Sequence, residues 1–219
     1  MRVFLRVISV IIAVCVPIVV MLGASNIVFR MPDIYTYEFR SMETVRELNF
    51  SITDDELGHF FSDFMRGKNE KFELFIDYED REQSVFGPNE QLNMDNARRL
   101  LNYTVYAFGV SALLLIIGYW VLLNKKRKSE LRTAFKGGIA VFASLQILLY
   151  VLFFYDNTRS FFYNLIFTNP YGADDLLPLI LTKHVAKICI YANSIAAIVI
   201  MLIFFSVTWR LTKPRRIFW

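Results

Sequence analysis

Acid–base chemistry at neutral pH needs groups that exchange protons there, and this chain has few of them. It holds two histidines, His59 and His184, the only side chains present whose unperturbed pKa lies near 7. Carboxylates stand at Glu90 and Asp95 and again at Asp174 and Asp175; these serve as bases when burial raises their pKa. Asn93 sits between the first two acids, at the centre of "FGPNEQLNMDNARRL" (Phe86 to Leu100), a polar stretch that leads directly into an apolar run. An asparagine amide neither takes nor gives a proton near neutrality, but it can donate a hydrogen bond to an oxyanion or accept one from an amine. No CxxC or HExxH pattern is present. The two cysteines, Cys15 and Cys189, lie inside apolar runs and read as packing residues. Cys15 follows "IIAV" and lacks the small preceding residue of a lipoprotein signal. No metal or cofactor is expected.

The elements that would position these groups are membrane helices. More than half of the chain is hydrophobic, 55% of its 219 residues, and it holds 21 phenylalanines; in a chain this short, that points to an all-α integral membrane protein rather than a soluble domain. Apolar runs over residues 7–28, 100–123, 137–155 and 185–209 each approach the ~20 residues that cross a bilayer core as a helix. The first is too long for a signal-peptide core and reads as a retained anchor. Pro17 should kink it unless a neighbour covers the freed carbonyl.

Basic residues set the direction. Arg2 and Arg6 precede the first span. "NKKRKSELRTAFK", residues 124–136, carries six bases and one acid. Arg210, Lys213, Arg215 and Arg216 fall in the tail, residues 210–219. The positive-inside rule places all three on the cytoplasmic side, with both termini inside. Residues 30–99 and 156–184 are then extracytoplasmic, as are His59 and His184. Residues 30–99 hold 16 acids against nine bases. Topology and contact with anionic lipid account for the basic residues, so nucleic acid is not an expected partner.

Seventy residues between the first two spans are enough for a small folded cap, helical with room for one short β-hairpin. In "TDDELGHFFSDFMRG", Thr53 and Glu56 form a capping box, and Asp54 and Asp55 suit a helix start. Leu57, Phe60, Phe61, Phe64 and Met65 recur at helical spacing, and Gly67 is the stop. "KFELFID" alternates as a strand that "YEDRE" turns back toward "QSVFG". Pro88 is tolerated at a helix start, and one helix is expected from there into the second span. Glu90, Asn93, Met94 and Ala97 share a face of it. Phe161, Phe162, Tyr163, Phe167 and Tyr171 read as an interfacial aromatic wall or belt.

At these two places the sequence resembles the bacterial lipoprotein intramolecular transacylases, small four-span proteins with an extracellular cap. Their pattern F-x-x-x-E-x-x-H-M-x-D-V reads here as Phe86, Glu90, Asn93, Met94, Asp95 and Asn96. A second family pattern, F-H-x-I-F-F, reads as Tyr163, Asn164, Leu165, Ile166, Phe167 and Thr168. The resemblance implies transfer of an acyl chain from the glyceryl sn-2 oxygen of a diacylglyceryl lipoprotein to the amine of its N-terminal cysteine. It also implies two catalytic histidines, one in each pattern. Those positions fall on Asn93 and on Asn164 or its neighbour Tyr163. His59 and His184 remain candidate substitutes, and Glu90, Met94, Asp95, Phe162, Tyr163, Phe167 and Lys187 candidate substrate contacts.

Three functions compete. The first is the family's acyl transfer. The second is a catalytically silent relative that binds lipoproteins or lipids. The third, transport, is disfavoured because the spans hold almost no ionisable residues. Lys187, about one turn into the fourth span, could anchor a phosphate, pair with Asp174 or Asp175, or snorkel to the headgroups. Membrane lipid is the expected partner in every case, and no protein partner is implied beyond the lipoprotein.

Overall fold

The computed structural model describes residues 2–48, 51–78, 81–155, 160, 163–164 and 166–213. Among the described residues, four helices are long and apolar enough to cross a membrane. These are α1 (Arg2–Val28), α5 (Pro88–Asn124), α6 (Lys128–Phe154) and α8 (Lys183–Thr212). Between α1 and α5 lie α2 (Pro32–Ser41), α3 (Thr44–Glu47), α4 (Asp54–Arg66) and a hairpin of β1 (Phe75–Tyr78) and β2 (Arg81–Ser84). A single turn, α7 (Leu177–Ile180), precedes α8. The chain divides into two compact units, each with its own core.

The first unit comprises Met1–Ala24, Thr104–Tyr155 and Ser194–Trp219. It is a helix bundle in which α1 is the most buried span. Leu5, Ile8, Ile12, Val16, Val20 and Ala24 form its inward seam, at the three- and four-residue steps that keep one helical face turned to a core. The helix runs unbroken through Pro17. Proline frees the carbonyl four residues earlier, here that of Ala13. Gly138 of α6 lies against that carbonyl, and a Cβ at Gly138 would come within 3.0 Å of Val16 Cβ and 3.4 Å of Ala13 O. A bare backbone therefore covers the exposed oxygen, as small residues do at membrane helix contacts. Polar ties are few. Tyr119 and Thr208 share a hydroxyl–hydroxyl bond of 2.8 Å, Ser194 donates to Gln146 Oε1, and Arg132 donates to Thr212 O (2.9 Å) while lying over the Trp209 ring. Large apolar side chains such as Val110, Leu113, Ile116, Leu202 and Ile203 are exposed, as a lipid-facing surface requires.

The second unit comprises Ser25–Tyr103 and Asp156–Asn193. Helix α4 begins with the full capping box: Glu56 N–H donates to Thr53 Oγ1, and Thr53 N–H donates to Glu56 Oε2. It ends at Gly67, whose φ of 81° is left-handed, a conformation glycine adopts without Cβ cost. Leu57, Phe61, Phe64 and Met65 are buried, with Phe60 packed at the edge. They meet Tyr35 and Phe39 of α2, together with Phe72 and Phe86. Rings in this cluster stand 4.5 to 6.3 Å apart, several of them edge to face, the geometry that aromatic quadrupoles favour. The carbonyls that follow α1 are satisfied within this unit. Tyr35 Oη donates to Phe29 O, and Ser62 Oγ and Arg66 Nε both donate to Arg30 O.

The hairpin is shorter than the alternation suggests. β1 starts only at Phe75, and β2 begins at Arg81, inside the expected turn; Phe75 pairs with Ser84 and Tyr78 with Arg81. Helices α2 and α3 lie in a stretch where no element was expected.

Candidate functional site

The first turns of α5 present Asn89, Asn93 and Asn96 at steps of four and three residues, which places them on one face. All three grip the same short segment. Asn89 Nδ2 donates to Pro170 O (3.1 Å), and Asn96 Nδ2 donates to Thr168 Oγ1 (3.1 Å). Asn93 makes the tightest hold. Its Nδ2 donates to Asn169 O (3.0 Å), while its Oδ1 accepts from Asn169 N–H (2.9 Å) and from Asn169 Nδ2 (3.1 Å). The side chain is fully buried. An amide is suited to this task because it offers donor and acceptor side by side, matching one backbone residue.

Glu90, one turn earlier, is 1% exposed. Its Oε2 accepts from Gly87 N–H (2.6 Å) at the start of α5, and its Oε1 accepts from Leu177 N–H (2.5 Å) at the start of α7. One carboxylate thus serves two helix starts, where free N–H groups and the positive helix end both favour an anion. These bonds give a buried carboxylate the partners it needs.

The gripped segment leads to Tyr171. The Tyr163 hydroxyl donates to that of Tyr171 at 3.4 Å, and the Tyr163 ring packs on Phe167 at 4.6 Å. Both tyrosines are half-buried. Burial first, then the neighbouring Tyr163 phenol, push the Tyr171 phenol well above its usual pKa; a hydrogen bond from Asn93 opposes this and the Glu90 charge adds to it. Tyr171 therefore stays protonated at neutral pH. Just beyond it, Asp175 accepts from Gly172 N–H (2.7 Å).

The residues singled out from the sequence separate into groups. Glu90, Asn93 and Tyr163 gather around Tyr171, and Phe167 lies against Tyr163. Asn164 is exposed. Of the two residues at the second pattern, it is Tyr163 that joins the cluster. Met94 is buried in the core, and Asp95 pairs with Arg98 at 3.0 Å. His59 and His184 are both exposed, and among the described residues no hydrogen bond or ion pair links either of them to Asn93. Lys187 is half-buried, with no ion pair to Asp174 or Asp175 among the described residues. Phe161, Phe162 and Leu165 lie outside the described residues.

Two residues were not singled out as site residues. Tyr171 read as one more belt aromatic, and nothing local marks its hydroxyl contact. Arg98 donates to Asn69 O and Glu70 O and lies 4.2 Å from the Phe64 ring centre, fastening the loop after α4 to α5. Among the described residues, no group of three or more His, Cys, Asp or Glu could hold a metal ion.

A family model described as lipoprotein intramolecular transacylase Lit matches residues 10–172. The chain belongs to this family. Among solved structures it is similar to the membrane-integral family member from Bacillus cereus, with a TM-score of 0.75 at 17% identity, covering 100% of both chains. A histidine-to-alanine variant of that protein gives a TM-score of 0.75 at 15% identity, over 99% of this chain and 97% of the other. At such identities the likeness speaks for the four-span fold. No curated protein matches the sequence. The family's expected histidine at the first pattern is here an asparagine whose amide holds Asn169 through both its oxygen and its nitrogen.

Proposed function

We propose that this chain is a lipoprotein intramolecular transacylase of the bacterial cytoplasmic membrane. It moves the sn-2 acyl chain of a diacylglyceryl lipoprotein to the amine of the N-terminal cysteine. Its termini are cytoplasmic, and residues 30–99 and 156–184 form the extracytoplasmic part where lipoprotein and membrane lipid are met. The family match over residues 10–172 carries this reading.

The reaction is within reach of a site without histidine at Asn93. An α-amino group has a pKa of about 7.7–8.0, so an appreciable fraction is already neutral and nucleophilic near pH 7.5. Amine and ester belong to one molecule, and well-oriented intramolecular reactions reach effective molarities of about 10⁵–10⁸ M. What such a site must add is orientation, a donor for the oxyanion, and a route for one proton.

The test is mass spectrometry of N-terminal lipopeptides from a bacterium that makes diacylglyceryl lipoproteins, lacks its own transacylase and expresses this chain. One acyl chain shifted from glycerol to nitrogen is the expected result. Unshifted lipopeptides, with the protein folded in the membrane, would leave lipoprotein binding as its role. The Asn93→His, Asn164→His double variant would then ask whether those two groups alone were missing.

A further inference from the structure

We propose that the paired hydroxyls of Tyr163 and Tyr171 are the proton relay of the acyl-transfer site. This rests on the transacylase reading above.

Three observations support it. The two phenols come from different parts of the segment before α8 and meet at their oxygens, 3.4 Å apart. Their placement is strongly determined: Phe167 packs on Tyr163, and the three asparagines of α5 hold residues 168–170 directly before Tyr171. Among the described residues of the cluster, these hydroxyls are also the polar groups left able both to give and to take a proton. Glu90 is occupied by two backbone N–H groups, and Asn93 is an amide already bound to Asn169.

The step balances without a co-reactant. The neutral cysteine amine attacks the sn-2 ester carbonyl, forming the C–N bond and a tetrahedral intermediate with an anionic oxygen and a cationic nitrogen. One phenol donates a hydrogen bond to that oxygen. As the carbonyl re-forms and the C–O bond to glycerol breaks, one hydroxyl passes its proton to the departing glyceryl oxygen. The proton on nitrogen moves to the hydroxyl pair and restores it. The products are an amide and a free sn-2 hydroxyl. A phenolic hydroxyl carries both a donor and acceptor lone pairs, which is what a two-way relay requires.

The experiment uses the purified full chain in detergent with a synthetic diacylglyceryl lipopeptide, read as the rate of N-acylation between pH 6 and 9. Wild type, Tyr163→Phe, Tyr171→Phe and the double variant are compared, and thermal unfolding confirms that each is folded. Phenylalanine keeps the ring and removes only the relay atoms. A loss of about 10²-fold or more in the double variant, the low end of general acid–base contributions, is the expected outcome. A rise of rate with pH up to about 8 in wild type, tracking the substrate amine, is expected alongside it. Transfer by wild type that continues undiminished in the folded double variant overturns the relay and leaves the transacylase reading standing. No transfer by wild type overturns the transacylase reading, and the relay with it.

Discussion

Glu90 shows how much one side chain can be asked to do. It is a buried carboxylate whose two oxygens accept the backbone N–H groups of Gly87, three residues before it, and Leu177, 87 residues after it, at the starts of α5 and α7. Glutamine has the same shape but brings an NH₂ to one of two positions where only an acceptor fits, so one backbone donor is left unpaired. Glu90→Gln should therefore cost about 1–3 kcal/mol of stability, read by thermal or denaturant unfolding in detergent; unchanged stability would refute the double-capping role. Tyr35 offers a second residue-scale prediction. Burial, reinforced by the Cys189 side chain, holds its phenol above the usual range, and its hydroxyl donates to Phe29 O at 3.0 Å. A phenol raised in the folded state contributes stability that is complete below the unfolded pKa of about 10 and is lost as pH rises beyond it. Unfolding midpoints should fall above pH 10, and Tyr35→Phe should flatten that fall while costing about 1 kcal/mol at neutral pH for the lost hydrogen bond.

At the scale of elements, α2 and α4 define the second unit. At Gly58 they approach closely: a Cβ there would meet Thr36 Oγ1, with Thr36 N at 2.8 Å and Thr36 Cα at 2.9 Å. Helix propensity alone favours alanine over glycine by about 1 kcal/mol. Here the clash is with backbone, which cannot swing aside, and overpacking of that kind costs about 1–3 kcal/mol or more. Gly58→Ala should thus destabilise despite its better propensity, with earlier proteolysis of α2 and α4 as the readout; a stabilised variant would show that the helices part easily. The capping box of α4, its apolar face and its glycine stop were legible because each rests on residues within one or two turns. Helix α5 was legible as one rod for the same reason: from Asn89 no breaker appears until deep in the second span. Helix α2 was not, since its burial depends on α4 rather than on a strong pattern of its own. The limits of the hairpin's strands differ by a few residues from the expected ones because the alternation is weak and the polar Arg81–Ser84 stretch carries no apolar marker.

At the scale of the whole molecule, charge and hydropathy govern. Four apolar helices carry lipid-exposed side chains, and bases crowd three segments while acids crowd a fourth. Reporter fusions should show both termini on the cytoplasmic side and a tag placed in residues 68–71 outside; a periplasmic C-terminus would overturn the assigned direction. Membership of the transacylase family extends over residues 10–172, and the similarity in fold to the Bacillus cereus protein covers the full length of both chains. The proposed relay, by contrast, rests on two hydroxyls 3.4 Å apart.

The class of the molecule, its four spans, the helix that carries Glu90 and Asn93, and the resemblance to lipoprotein transacylases are all legible in the linear chain. Those features come from sums over many residues or from contacts within a turn, and both survive in a linear reading. Tertiary structure alone decided which polar groups meet. Asn93 and Asn169 are 76 residues apart in the chain, and nothing near either one specifies the other. It decided likewise that Glu90 is spent on two helix starts, that Asn164 faces outward and Tyr163 joins Tyr171, and that both histidines are exposed. A side chain's orientation on a short irregular segment follows from the surface packed against it, and that surface exists only once distant parts of the chain have come together.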